Sequence, residues 1–166
     1  MSRIDFPKPK SDKNLNLGYK VFMLDDEYAA ATIKIDIKEM GCEVDHAPNL
    51  ASAVDYLIIK NSVAHYDIFL FDLYMEGEEF DYGDGNGVRT HKDPEGINGL
   101  NFIEQNYHLF RNYLKRIAFI TAFPKALQRV KFNENPGISK IPCFFKTNEN
   151  YVRDVINFIM KKRFRG

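Results

Sequence analysis

Three short runs in this chain are apolar at every position: residues 21–24 (Val-Phe-Met-Leu), 68–71 (Ile-Phe-Leu-Phe) and 117–120 (Ile-Ala-Phe-Ile). A strand with one wet face alternates, whereas a strand that is apolar throughout is covered on both faces, as in a parallel sheet sandwiched by helices. Each run stops at a polar side chain able to do chemistry: Asp25-Asp26, Asp72 and Thr121 respectively. A further apolar run, 141–145, stops at Lys146, and a short alternating segment, 42–47, supplies a fifth strand. Helical patterns fill the gaps. Residues 28–40 put Ile33, Ile37 and Met40 on one face before Gly41 ends the helix, and Asn49 can cap a second helix carrying Leu50, Val54, Leu57 and Ile58. A third helix is expected over 100–110, and a last one with Val152, Val155, Ile156 and Ile159 on its apolar face. The fourth, 124–131, is the weakest, because Asn133, Asn135, Pro136 and Gly137 cut it short. Strands alternating with helices predict an α/β fold, a doubly wound five-stranded parallel sheet with right-handed crossovers and helices on both faces.

The 166 residues suit one domain, expected over 19–166 behind an N-terminal arm, 1–18, that holds Pro7, Pro9 and Gly18. Lys+Arg and Asp+Glu both total 23, so no overall basic field favours nucleic acid, and no direct nucleic-acid partner is expected. Lys161, Lys162, Arg163 and Arg165 read as the solvated end of the last helix, favoured by its dipole. No apolar run approaches the ~20 residues of a membrane span, and the arm lacks the apolar core of a signal peptide, so the expected location is the cytoplasm, with no membrane partner. Cys42 and Cys143 read as isolated, reduced, buried thiols, and the four histidines, His46 among them, are dispersed outside any metal or nucleophile motif.

In a sheet of this kind ligands bind beyond the carboxyl ends of the strands, where Asp25, Asp26, Asp72, Thr121 and Lys146 are expected to gather. Three carboxylates brought together must bind a cation, be protonated or be offset by a fixed positive charge. Mg2+ suits oxygen ligands and retains waters that a phosphoryl group can replace, while a lysine and a hydroxyl opposite complete a cage for phosphoryl oxygens.

The motifs 21–27 (Val-Phe-Met-Leu-Asp-Asp-Glu), 71–75 (Phe-Asp-Leu-Tyr-Met), 119–122 (Phe-Ile-Thr-Ala) and 144–146 (Phe-Phe-Lys), in that order on the expected strand ends, resemble the receiver domain of two-component response regulators. The resemblance implies a flavodoxin-like sheet of order 2-1-3-4-5, with Cys42 and Cys143 on opposite edge strands. It implies Asp72 as phosphoacceptor, with Asp25, Asp26, Asp72 and the backbone carbonyl of Tyr74 around Mg2+. Lys146 would pair with Asp72 and then with a phosphoryl oxygen, and Thr121 would bond the phosphoryl group and carry the fourth-strand loop with it. The partners implied are a sensor histidine kinase or a histidine phosphotransfer protein, and a downstream protein target, with a phosphorylation-dependent dimer as one form of output. Such a domain is not an enzyme beyond catalysing its own phosphorylation and dephosphorylation.

The chain also departs from the pattern. Glu76 and Thr147 stand where proline is usual, and Cys143 replaces the switch aromatic, with Phe145 on the same strand face as a substitute. Gly99 lies 99 − 72 = 27 positions past Asp72, where such connections usually need ~2–6 residues. The excess predicts an inserted loop at about 78–98, rich in glycine and acid, flexible and able to fold over the pocket. Its segment Asp84-Gly85-Asn86-Gly87 fits a calcium loop poorly, since Tyr82 falls at the first acidic position. These departures support an alternative, a pseudo-receiver binding module that is not phosphorylated. A dehalogenase-like phosphatase fits worse: Tyr74 stands where its second aspartate belongs, and the acidic pair comes early. Tyr74 and Phe123, on the path of hydrolytic water in receivers, offer neither amide nor carboxylate to orient that water, which predicts a long-lived phosphoryl group.

Overall fold

The structure, a computed structural model, describes residues 16–26, 30–75, 80–81, 90–91 and 98–162. Five parallel strands, β1 (Lys20–Leu24), β2 (Glu43–Ala47), β3 (Ile68–Asp72), β4 (Ile117–Thr121) and β5 (Cys143–Phe145), form one sheet of order β2-β1-β3-β4-β5. The helices between them are α1 (Ala30–Glu39), α2 (Leu50–Val54), α3 (Asn98–Gln105), α4 (Ala126–Lys131) and α5 (Tyr151–Lys162). Every residue of β3 and β4 is buried, as their unbroken apolar sequences require.

Alternation along the strands divides the core into two layers. Phe22, Leu24, Phe69, Phe71 and Phe119 face α2, α3 and α4, whereas Val21, Met23, Leu70, Ala118 and Ile120 face α1 and α5. The first layer is strongly aromatic. Phe69 and Phe71 stack at 5.9 Å and both take the edge of Phe110, at 5.8 and 5.7 Å. Each such pair adds about 0.5–1.5 kcal/mol to simple burial and locks β3, which carries Asp72, beneath the helix that follows it.

Local signals set the helix ends. Gly41 ends α1 in the left-handed region at φ 76°, and Asn49 caps α2 by accepting from the Ser52 N–H at 2.8 Å. The third helix is shorter than its periodicity suggests: it breaks at Asn106, whose amide donates to the Phe102 carbonyl, and resumes for one turn, Tyr107–Phe110. β5 begins at Cys143 and not at 141, because Pro142 has no N–H to give a ladder.

Residues 16–18, expected in the loose arm, are docked: the Leu17 and Gly18 N–H groups donate to the carbonyls of Met40 and Gly41 at 3.0 and 3.2 Å. Residues 1–15 lie outside the described residues. Within the insertion, Phe80–Asp81 pairs antiparallel with Thr90–His91, and its first strand lies against α2. The rest of the loop expected at about 78–98 lies outside the described residues, apart from Asn98, which opens α3. The calcium-loop segment lies outside the described residues. Among those described, no helix is long and apolar enough to cross a membrane.

Cys42 directly precedes β2 and Cys143 opens β5, so the two free thiols sit at opposite edges of the sheet. Cys42 is buried as expected, but Cys143 is only half-buried, because an edge strand is covered by one neighbour alone. Burial still pushes its thiol up to about 11, against a smaller opposing pull from Lys131.

Candidate functional site

Backbone ladders deliver the site residues. The Asp25 N–H donates to Ala47 O, continuing the β1–β2 ladder one residue past Leu24, and the Lys146 N–H donates to Thr121 O at 2.8 Å, continuing β4–β5. The strand ends therefore share one rim, and side chains from four of them meet above it.

Asp25 and Asp72 are each 1% exposed. Asp26 is exposed. Carboxylate oxygens of the three lie within 4.8 Å of one another. Into this cluster reaches the Lys146 ammonium, 2.7 Å from Asp72 Oδ2 and 3.0 and 2.9 Å from the two oxygens of Asp25. The second Asp72 oxygen, Oδ1, accepts from the Tyr74 N–H at 3.0 Å. The Tyr74 peptide, whose carbonyl the resemblance places at the cation, thus adjoins the Asp72 carboxylate through its N–H.

Burial pushes the Asp72 carboxyl up to about 7, with the Lys146 charge and hydrogen bond pulling it back and Asp25 repelling it further. Burial also works against the Lys146 ammonium, but the Asp72 and Asp25 carboxylates outweigh it and hold its pKa above that of an ordinary lysine. The cluster holds more acid than one lysine offsets. An all-oxygen donor set of three carboxylates, one of them open to solvent, fits a hard divalent cation that keeps several waters.

Thr121 is fully buried at the end of β4, and its Oγ1 accepts from the Phe123 N–H at 3.1 Å. Beside it the rings of Tyr74 and Phe123 meet with centroids 4.0 Å apart. The two rings form one end of an open groove of about 940 Å3, walled further by Glu104, Ala126, Arg129 and Phe132. Cys143 packs towards the aromatic layer and Phe144 towards the other, where Phe158 meets its ring at 6.0 Å, as alternation predicts.

All five side chains expected at the rim are thus on it, with Asp25, Asp72 and Lys146 in direct contact and Thr121 and Tyr74 adjoining. Two supports escaped the sequence. The His46 ring Nε2 lies 2.8 Å from the Asp25 carbonyl, so it is the protonated nitrogen and donates there. No local signal marks it, because only the β1–β2 register, which sets His46 opposite Met23, brings it within reach. At α3, a Cβ on Gly99 would stand 1.7 Å from the Asp72 carbonyl oxygen, and the buried Asn98 side chain donates to Met75 O at 2.8 Å. The spacing marked Gly99 as the start of a helix, but the contact with Asp72 depends on the fold.

No protein-family model matches the chain, and no curated protein matches it in sequence. Solved structures do. The response regulator 1452 receiver domain of Francisella is 18% identical, with a TM-score of 0.55 over 89% of this chain and 98% of its own. The CheY-like response regulator receiver domain protein of Methanospirillum hungatei is 14% identical, with a TM-score of 0.55 over 89% of this chain and 95% of its own. The chemotaxis response regulator CheY4 of Vibrio cholerae is 16% identical, with a TM-score of 0.55 over 87% of this chain and 98% of its own. Strand order, layering and these neighbours agree: the chain has the fold of a response-regulator receiver domain.

Proposed function

We propose that the chain is a phosphorylation-dependent signalling switch that takes a phosphoryl group onto Asp72 from a phosphohistidine of a sensor kinase or a histidine phosphotransfer protein. The observation that carries this reading is the pairing of Asp72: one oxygen lies 2.7 Å from the Lys146 ammonium, and the other accepts the Tyr74 N–H. In the transfer, a carboxylate oxygen of Asp72 attacks phosphorus, the P–N bond to the donor imidazole breaks, and its electron pair leaves with the imidazole. Lys146 follows the charge from the carboxylate to a phosphoryl oxygen, at little cost in reorganisation. Asp25, Asp26, Asp72 and the Tyr74 carbonyl are the groups that would hold Mg2+, which when bound offsets the negative charge of the carboxylates and the phosphoryl oxygens.

Thr121 is the switch. Its hydroxyl proton can be donated to a phosphoryl oxygen, and movement towards that oxygen draws on the Phe123 N–H that Oγ1 now accepts. The loop leading to α4 moves with it, changing what a downstream protein, or a second copy, meets. Apart from its own phosphorylation and dephosphorylation the domain has no catalytic role in this reading, and its setting is the cytoplasm.

Intact-protein mass after incubation with acetyl phosphate and Mg2+ tests the proposal. One phosphate-sized gain that needs Mg2+ and disappears in Asp72→Asn is the expected result. No gain from folded protein would overturn it in favour of the pseudo-receiver reading, which Glu76, Cys143 and Thr147 support.

A further inference from the structure

Towards the β4–β5 edge, the end of the sheet opposite the acidic rim is built from three segments, 111–116, 136–142 and 155–162, which together hold six cations and no acid. Because Lys+Arg and Asp+Glu both total 23, the rest of the chain has 17 cations against 23 acids. The neutral total therefore conceals a polar molecule.

The three segments meet at that end. The Lys162 ammonium donates to the Lys115 carbonyl, joining the end of α5 to the turn Leu114–Arg116. A Cβ on Gly137 would touch the Leu114 side chain at 2.8 Å, which places the turn Ile138–Lys140 alongside. Arg111, Lys115, Arg116, Lys140 and Lys161 are exposed there, and Lys162 is half-buried. In sequence the array continues as Arg163, Phe164 and Arg165. The dipole of α5 accounts for Lys161 and Lys162, but Arg111, Lys115, Arg116 and Lys140 belong to other elements and need another reason. The acids exposed at the same end, Glu43 and Asp67, lie on its β2–β3 side, where Asp67 accepts from the Lys20 N–H at 2.9 Å.

We propose that this basic end is a docking surface for an anionic lipid bilayer. A fluid bilayer brings its charged headgroups to cations wherever these lie, so an array spread over three segments needs no partner of matching shape. Each Lys or Arg brought to such a surface strengthens binding roughly fivefold. The screening length of about 8–10 Å at physiological salt hides the acidic rim, which stands a full strand length away. Single-stranded nucleic acid is less well served, because base stacking needs an open ring face, and both aromatics of the described segments are covered, Tyr113 by the Arg116 guanidinium at 5.5 Å and Phe158 by the Lys162 ammonium at 4.8 Å. Docked this way, the domain would hold its acidic rim away from the membrane.

The test is co-sedimentation of the full chain with phosphatidylcholine vesicles containing or lacking 30% phosphatidylserine, at 0.1 M and 0.5 M salt. Expected are binding to the anionic vesicles alone, its loss at 0.5 M salt, and a drop of roughly tenfold or more in both Lys115→Gln/Arg116→Gln and Lys161→Gln/Lys162→Gln, with wild-type melting temperatures showing that both variants fold. No binding to anionic vesicles at 0.1 M salt would overturn the proposal. So would full binding by Lys115→Gln/Arg116→Gln, which would reduce the site to the end of one helix, or tighter binding to an oligonucleotide of equal charge concentration. None of these readouts depends on phosphorylation of Asp72.

Discussion

The two sides of the acidic rim are built differently. On the β1–β3 side, Asp25 and Asp72 are almost wholly buried, paired to one lysine and held from behind by His46 and by the start of α3. On the β4–α4 side, Thr121 is buried but hands on to Phe123, 45% exposed, to an α4 of only six residues, and to Phe132, 82% exposed. The paired charges sit in the close-packed half, and the segment that moves in the proposed switch sits in the more exposed one.

The contrast can be broken hardest at Gly99. In Gly99→Ala the new methyl meets the Asp72 carbonyl oxygen, so α3 or the acceptor loop must shift. The expected cost is about 3 kcal/mol or more, read as a fall of roughly 10 °C in melting temperature together with loss of phosphorylation. An unchanged melting temperature would mean that this side yields as easily as the other.

Next in size is the charge on Asp72. Its carboxyl titrates at about 7 in the folded chain, against 3.8 as the ordinary value, so between these pH values the folded protein holds a proton that the unfolded chain gives up. The stability this represents is fully present below pH 4 and is lost as pH rises through 7. In chelator at pH 8, Asp72→Asn should therefore be more stable than wild type by about 1–3 kcal/mol, an advantage that closes below pH 4. Melts across pH 4 to 8 check both arms.

His46→Leu removes the donor to the Asp25 carbonyl and loosens the turn that carries Asp26. Divalent-cation affinity, measured by calorimetry, should fall about fivefold, the equivalent of one hydrogen bond, and His46→Gln should recover part of it. Equal losses in both variants would assign the effect to packing alone.

The smallest stability effect belongs to the more exposed β4–α4 side. Tyr74→Asn with Phe123→Ala should change stability by less than about 1 kcal/mol, since Phe123 is nearly half exposed. The same double variant should shorten the lifetime of the phosphoryl group several-fold, by opening the stacked pair and supplying an amide to orient water. A wild-type half-life no longer than the variant's would defeat this expectation.

The same division explains what the sequence could tell. The five strands, the two-sided burial of the three central ones and the polar residue closing four of them are local properties, written in consecutive side chains such as Ile68 to Asp72. Asp25, Asp72 and Lys146 were legible because each follows an apolar strand directly. His46, Asn98 and the meeting of Tyr74 with Phe123 depend on which strands lie side by side, and periodicity carries no trace of that. The break at Asn106 and the late start of β5 each turn on one residue's hydrogen bonding, too fine a signal for a helix or strand pattern. The ribbon at Phe80–Asp81 was obscured by composition: glycine, asparagine and aspartate announce a turn without saying whether paired strands flank it.

Asn98 has a consequence for how such a chain can change over time. Its side chain grips the Met75 carbonyl, so the chain returns at Asn98, after 22 intervening residues, to the point it passed at Met75. A loop tied off at its base is a pendant ring whose entropic cost grows only with the logarithm of its length, about 0.6 kcal/mol for each doubling. Residues can be added, removed or exchanged between Met75 and Asn98 while strand register, acidic rim and lysine stay in place, which makes this position a natural graft point for new specificity.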